Sequence, residues 1–328
     1  METKHRLLIT DRAWPNCSIE RDMLTELGVE IIEAPDQDES TLVSLARDVS
    51  AIATCWAPVT EAIVRAAKQC RGIARFGIGL DNIAVDVATE LGIPVTNVPD
   101  YCVEEVSDHA LALMLSCARN VAFYHHRTKQ GEYSLKSGPR MRRLAGQVVG
   151  LVGLGHIGRR LAAKLHALNP NVWAHTRSGN NHGTGCKMVS LDELLAGSDF
   201  VSLHCPLTSD TRHLIDRAAL ATMKPTATLI NTSRGALIDH VALDEALQSE
   251  KLAGAALDVF DPEPPDLREP LFRDERVIVT PHAAFLSAQS LVELRQRTAA
   301  QIADVLQGRE PQHVVNRQIW HDRRELAQ

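Results

Sequence analysis

The sequence is poor in aromatic residues: Phe, Trp and Tyr make up 4% of its 328 residues. That disfavours a platform on which single-stranded bases stack. It also lacks a basic excess. Lys and Arg number 35 against 41 Asp and Glu, a formal net charge of -6, so no positive surface for nucleic acid or acidic lipid is expected. Long apolar runs are absent as well. The most apolar helical stretch, Val106 to Ala118, is interrupted by Asp108 and His109 and is too short to span a bilayer. Cysteines number seven (Cys17, Cys55, Cys70, Cys102, Cys117, Cys186 and Cys205), and no two lie closer than fifteen residues. This excludes CxxC redox pairs and cysteine-cluster zinc sites, and no metal is expected. A disulfide framework is improbable in a chain this long, so the thiols read as reduced and the protein as cytoplasmic. The first residues, Met1 to Arg6, lead into a short strand without the apolar core of a signal peptide.

What is present is alternation. The length suggests two domains. Strands are expected at Leu7–Thr10, Val29–Ile32, Ala51–Thr54, Gly72–Phe76 and Val95–Val98, separated by helices at Ile19–Leu27, Thr41–Asp48, Thr60–Gln69 and Val87–Leu91. Such βα alternation implies a parallel, doubly wound sheet. Val103 to Val121 is apolar on almost every face, which calls for cover on all sides and points to a subunit interface. Phe123 to Arg143 is polar and reads as a solvated arm. The alternation restarts at Val148, with further strands at Val172–Ala174, Phe200–Leu203, Leu229–Asn231, Ala255–Val259 and Val277–Thr280. An amphipathic helix with Leu291, Leu294, Thr298, Ile302, Val305 and Leu306 on one face closes the pattern, with Gly308 as its cap. The fold class is therefore α/β, with two doubly wound parallel-sheet domains.

Gly153-Leu154-Gly155-His156-Ile157-Gly158 follows a strand and opens a helix. In that context GxGxxG binds a dinucleotide. The first glycine allows a tight turn, the second admits the pyrophosphate, and the third lets helix and strand pack closely. A NAD enzyme should then show an acid near the end of the next strand. The chain instead has His175-Thr176-Arg177-Ser178. A guanidinium pairs with a 2′-phosphate where a carboxylate would repel it, so the sequence leans toward NADP. The alternative is a surface arginine and a site open to NAD as well. A Tyr-x-x-x-Lys base is missing downstream, since Tyr101, Tyr124 and Tyr133 all precede the glycines, which excludes a short-chain dehydrogenase.

Arg234, Glu263 and His282 each follow a strand of the second block. Strand ends of a parallel sheet share one edge, where open α/β sheets bind ligands. Reduction of a 2-keto acid needs these residue types. Histidine donates a proton near neutral pH, a carboxylate orients it, and guanidinium binds the substrate carboxylate.

The stretches Val149–Gly158, Leu229–Gly235, Ala256–Pro264, Thr280-Pro281-His282, Phe76–Ile83 and Asn97-Val98-Pro99 resemble the D-isomer-specific 2-hydroxyacid dehydrogenases. The resemblance spans nearly the whole chain. It implies His282 as acid/base, Glu263 as its partner and Arg234 as substrate clamp. Ile78 and Gly79 would offer backbone N–H groups to the substrate carboxylate. Asp258 would lie near the nicotinamide carboxamide, and Cys205-Pro206 on the adenine side. Together with Gly153, Gly155, His156, Ile157 and Gly158, the expected cofactor contacts include Thr176, Arg177, Ser178, Thr232 and Ser233. A Rossmann cofactor domain (100–287) would be inserted into a flavodoxin-like substrate domain (1–99 and 288–328). A homodimer would form through 103–143.

Val103–Asp108 and His282–Phe285 look closest to the branch that contains the C-terminal binding proteins and the glyoxylate/hydroxypyruvate reductases. A dinucleotide-sensing, corepressor-like binding protein with little turnover is therefore the competing expectation. Family members acting on phosphoglycerate carry an Arg after the third strand, where this chain has Cys55-Trp56-Ala57-Pro58. Trp56 and Phe285 are expected as apolar walls of the substrate site, with core packing as the alternative.

Overall fold

The computed structural model describes residues 4–322. Its contacts divide the chain into two units, Met1–Tyr101 with Ser287–Gln328, and Cys102–Leu286.

The first unit is built on five parallel strands: β1 (His5–Ile9), β2 (Val29–Glu33), β3 (Ala51–Thr54), β4 (Ile73–Arg75) and β5 (Val95–Thr96). Their order is β2-β1-β3-β4-β5, the flavodoxin-like arrangement. Helices α1 (Ser18–Leu24), α2 (Glu39–Ala46), α3 (Glu61–Ala66) and α4 (Val85–Glu90) make the crossovers. β3 is buried at all four positions. A strand covered on both faces has no polar side to alternate with, which is why it reads as a continuous small-apolar run.

The second unit opens with α5 (Val103–Ala118) and α6 (Val121–Lys129). It continues through β6 (Val148–Val152), α7 (His156–His166), β7 (Asn171–His175), β8 (Lys187–Met188), α8 (Leu191–Gly197) and β9 (Phe200–Leu203). Then follow α9 (Arg217–Thr222), β10 (Thr228–Asn231), α10 (His240–Gln248), β11 (Gly254–Leu257) and β12 (Val277–Val279). The sheet is wholly parallel in the order β12-β11-β10-β9-β6-β7-β8. The chain reverses direction across the sheet between β6 and β9, so the loops after these strands flank the topological switch point.

One reading is corrected here, and two details are added. The arm after Phe123 begins as a helix, since α6 occupies Val121–Lys129, although it buries no residue. Its polar composition hid it, because a helix that buries no side chain fully shows no clear apolar stripe. Asn120, at φ 51°, breaks it from α5. Next, α5 is not covered all round in this chain. Val106, Ala110, Leu113, Met114 and Ala118 are buried, whereas Asp108 and Ala112 are exposed. Lys164 of α7 fastens this helix through Ser107 Oγ at 2.7 Å and Asp108 Oδ1 at 2.7 Å. Finally, β8 has only two residues, too few to show a period.

The chain returns to the first unit as α11 (Ala288–Leu306), opened by a Ser287–Ser290 capping box. Gly308, at φ 74°, follows its end and donates its N–H to Val305. Arg295 of α11 makes a forked ion pair with Glu20 of α1, at 2.9 and 2.7 Å, with Glu20 fully buried. The same guanidinium lies 5.2 Å from the Trp14 ring centroid. Asn316 then accepts from Val95 N–H at 2.8 Å and donates to Ile93 O at 3.0 Å. These contacts join segments more than 200 residues apart into one core. Among the described residues no helix is long and apolar enough to cross a membrane.

Candidate active site

Parallel strands deliver all the loops of interest in the second unit to one edge of its sheet. At the end of β6, Gly153 sits at φ 103° and donates to His175 O at 2.8 Å. A side chain there would be strained, and its Cβ would lie 2.7 Å from His204 O. Gly155 caps α7, and a Cβ on it would meet nothing within 4 Å. Gly158 is the reverse case, its added Cβ falling 2.2 Å from Gly153 O. The three glycines thus serve a turn, an open approach and a close packing. That pattern, with the N-terminus of α7 at His156 and Ile157, fits the pyrophosphate of a dinucleotide.

After β7, Thr176–Gly179 forms a tight turn, with Gly179 N–H donating to Thr176 O at 3.0 Å and Gly179 at φ 68°. Arg177 and Ser178 are exposed on it. After β9 come Cys205 and Pro206. Burial pushes the Cys205 thiol up to about 11. His204, just before, bonds Ser202 Oγ at 2.8 Å, and burial pushes its imidazole down to about 4, so it is neutral at physiological pH.

After β10, Asn231 folds the chain back. Its Nδ2 donates to Arg234 O at 2.8 Å, and its Oδ1 accepts from Ser233 N–H at 3.0 Å. Ser233 Oγ donates to Leu203 O at 2.7 Å, and Thr232 is 8% exposed. A Cβ at Gly235 would fall 1.9 Å from the backbone of Phe260. Only glycine lets the turn carrying Arg234 press against the loop carrying Glu263. The sequence quoted Gly235 within a motif without giving it this task.

Glu263 and His282 are paired, Nδ1 to Oε2 at 2.7 Å. The other oxygen, Oε1, accepts from Phe260 N–H at 2.8 Å. Burial opposes the carboxylate. The His282 hydrogen bond and charge, the Phe260 N–H and the Arg234 guanidinium outweigh it, holding Glu263 below the usual carboxylate range. With Nδ1 engaged, Nε2 is the nitrogen left to exchange a proton with a ligand. The Phe285 ring stands edge-on to this imidazole, centroids 6.1 Å apart.

His282 is held at φ 50°, a left-handed conformation that costs a side chain with a Cβ about 1–2 kcal/mol. Asp258 maintains it. Its backbone O accepts His282 N–H at 2.8 Å. Its carboxylate, 0% exposed, accepts from Thr280 Oγ1 at 2.5 Å, Ala283 N–H at 2.9 Å and Ala284 N–H at 2.9 Å. Asp258, which the resemblance places near the nicotinamide carboxamide, also organises the His282 loop. A buried carboxylate must be satisfied from its own surroundings, and these donors do so. His109 of α5 completes the group, its Nε2 3.0 Å from Thr280 Oγ1 and 3.5 Å from Asp258 Oδ1. Sequence reasoning missed His109 and Thr280, because their partners are remote in the chain.

Trp56, Ile78 and Gly79 belong to the first unit. Asp11 holds the turn after β3, accepting Cys55 N–H at 2.8 Å and Trp56 N–H at 2.6 Å, and leaves Trp56 39% exposed. After β4, the carbonyl of Gly77 accepts Val98 N–H at 3.0 Å and that of Ile78 accepts Asn97 Nδ2 at 2.7 Å. In a trans peptide the N–H points opposite to the preceding carbonyl. The N–H groups of Ile78 and Gly79 are therefore turned away from the 97–98 segment, side by side. Among the described residues no group of three or more His, Cys, Asp and Glu is arranged to hold a metal.

Residues 111–284 match the family model for the D-isomer specific 2-hydroxyacid dehydrogenase NAD binding domain. The chain is 37% identical to a glyoxylate reductase of Aeropyrum pernix over 289 residues, 85% of this chain and 86% of that protein. It is 40% identical to a hydroxypyruvate reductase of Thermotoga maritima over 234 residues, 71% of this chain and 76% of the other. Among solved structures, the NADPH-dependent glyoxylate/hydroxypyruvate reductase of Sinorhizobium meliloti, in complex with NADP and malonate, superposes with a TM-score of 0.88. It shares 29% identity and covers 99% of this chain and 100% of its own. Glycine loop, paired imidazole and carboxylate, and the match along the chain agree: this protein belongs to the D-isomer-specific 2-hydroxyacid dehydrogenase family.

Proposed function

We propose that the protein is an oxidoreductase that reduces small 2-keto acids to D-2-hydroxy acids, and the reverse, with NADP as the preferred nicotinamide dinucleotide. The observation that carries this reading is the His282–Glu263 pair on the sheet edge that also bears the glycine loop. When bound, the reduced nicotinamide supplies the hydride. His282 gives the proton to the substrate oxygen from Nε2 and takes it back in the oxidation. Glu263 fixes Nδ1 and stabilises the imidazolium. Arg234 binds the carboxylate and polarises the carbonyl. Ile78 and Gly79 carry N–H groups suited to a substrate carboxylate, and Trp56 and Phe285 are candidate apolar contacts for its side chain. Gly153, Gly155, His156, Ile157 and Gly158 hold the pyrophosphate, Cys205, Pro206, Thr232 and Ser233 line the cofactor, and Thr176, Arg177 and Ser178 read its ribose.

Support for NADP is chemical: the Thr176–Gly179 turn carries a guanidinium and two hydroxyls and no acid. The similar Sinorhizobium enzyme carries NADP. Absorbance at 340 nm with glyoxylate, hydroxypyruvate and longer 2-keto acids, each with NADH and NADPH, tests the reading. Turnover is expected with NADPH. Dinucleotide binding without turnover of any keto acid would point to the corepressor-like alternative. In the same assay Arg177→Ala should raise the KM for NADPH about tenfold and leave that for NADH nearly unchanged. Equal effects would remove the NADP preference.

The homodimer is part of the proposal. The segment after α5 exposes Val121, Tyr133 and Leu135, the last two 97% and 87% exposed, and such apolar surface favours a second copy. Sedimentation should return twice the chain mass, and a monomer at micromolar concentration would sink this point. Seven free thiols, five of them buried, suit a reducing compartment such as the cytoplasm.

A further inference from the structure

In the first unit, Arg75 ends β4 and is only 7% exposed. Among the described residues it makes no ion pair. Asp11 spends its carboxylate on the N–H groups of Cys55 and Trp56. The Cys55 thiol beside it is pushed up to about 12 by burial, so it stays neutral and cancels no charge. A buried cation without an anion is costly, and an anion arriving from outside would relieve that cost.

The guanidinium is spent on the loop that follows. Nη1 donates to Phe76 O, and Nε donates to Gly79 O at 3.1 Å. Gly77, at φ 149°, passes so close that a Cβ on it would lie 2.9 Å from Nη1. With Val98 N–H on Gly77 O and Asn97 Nδ2 on Ile78 O, four consecutive carbonyls are satisfied from within the unit. Carbonyls held this way turn the intervening N–H groups the other way, and a positive charge lies beneath them. This is the construction of an anion nest, with fixed dipoles backed by a full charge.

We infer that Arg75 is a positioning residue for the substrate carboxylate, aiming the 76–79 loop and supplying the positive potential behind its N–H groups. The inference rests on the keto-acid reading above and adds a residue to it. It also states a specificity: ligands with a carboxylate next to the carbonyl gain from Arg75, and simple aldehydes and ketones do not.

Arg75→Met and Arg75→Lys test it by two readouts. One is steady-state kinetics with glyoxylate. The other is thermal stabilisation of the cofactor-free protein by oxamate, a keto-acid mimic. Arg75→Met should raise the KM for glyoxylate about tenfold or more, abolish the oxamate shift, and leave the KM for NADPH within about twofold. Arg75→Lys keeps the charge and loses the fork, so it should fall between wild type and Met. If the Met variant does not fold, the Lys variant carries the test. An active wild type whose Arg75 variants keep their glyoxylate KM and oxamate shift overturns the role of Arg75 and leaves the enzyme reading intact. Equal losses toward glyoxylate and NADPH would mark Arg75 as merely structural and also overturn it. A wild type with neither turnover nor an oxamate shift overturns both.

Discussion

His282→Asn is expected to lower kcat for keto-acid reduction by about 100- to 10,000-fold. Asparagine is the informative replacement. It tolerates the left-handed backbone that this position requires, at φ 50°, so the Asp258-anchored loop should survive. What it lacks is a proton to give. The KM for the dinucleotide should change little, because the glycine loop is untouched. A variant retaining more than about a tenth of wild-type kcat would remove His282 as the acid. Glu263→Gln gives a graded version. Glu263 lies below the usual carboxylate range, so it is ionised throughout the neutral region and lost as a partner only in acid. With Gln, the partner of Nδ1 keeps a hydrogen bond but loses its charge, so kcat for reduction should fall by about tenfold or more while the KM for the dinucleotide stays nearly unchanged. An unchanged kcat would argue against the pair.

The second large effect is on stability. Glu20→Ala should cost about 3–5 kcal/mol, read as a lower urea midpoint by tryptophan fluorescence. The reason is asymmetry. Paired, Glu20 and Arg295 satisfy each other at 2.7 and 2.9 Å, with Glu20 fully buried. With Glu20 gone, the guanidinium stays buried without its counter-charge. Glu20→Leu combined with Arg295→Met should recover most of the loss, since apolar groups of similar volume often replace a buried ion pair at little cost. A single variant as stable as wild type would show that the pair does not hold α1 to α11.

Much of the site was legible because its chemistry is carried by local motifs. GxGxxG announced an open glycine between two constrained ones, and Gly155 and Gly158 behave so. Arg234, Glu263 and His282 were found by their position after strands, since parallel topology delivers strand ends to one edge. What was hidden shares one cause. Gly235 matters through Phe260, His109 through Thr280, and Asp258 through the Ala283 and Ala284 N–H groups. None of these pairings is local.

By itself, the sequence determined the class of structure and the kind of chemistry. Short apolar runs alternating with helical ones dictate parallel α/β sheets, and a glycine loop between strand and helix dictates anion binding at a helix start. Only the tertiary structure decided which side chains face one another. It set strand order, including the β6–β9 switch point, and it paired Glu20 with Arg295 across most of the chain. It also buried Arg75 beneath its own loop without a counter-ion among the described residues. Those outcomes depend on which groups must be satisfied once water is excluded, and a linear pattern carries no record of that until the chain has closed on itself.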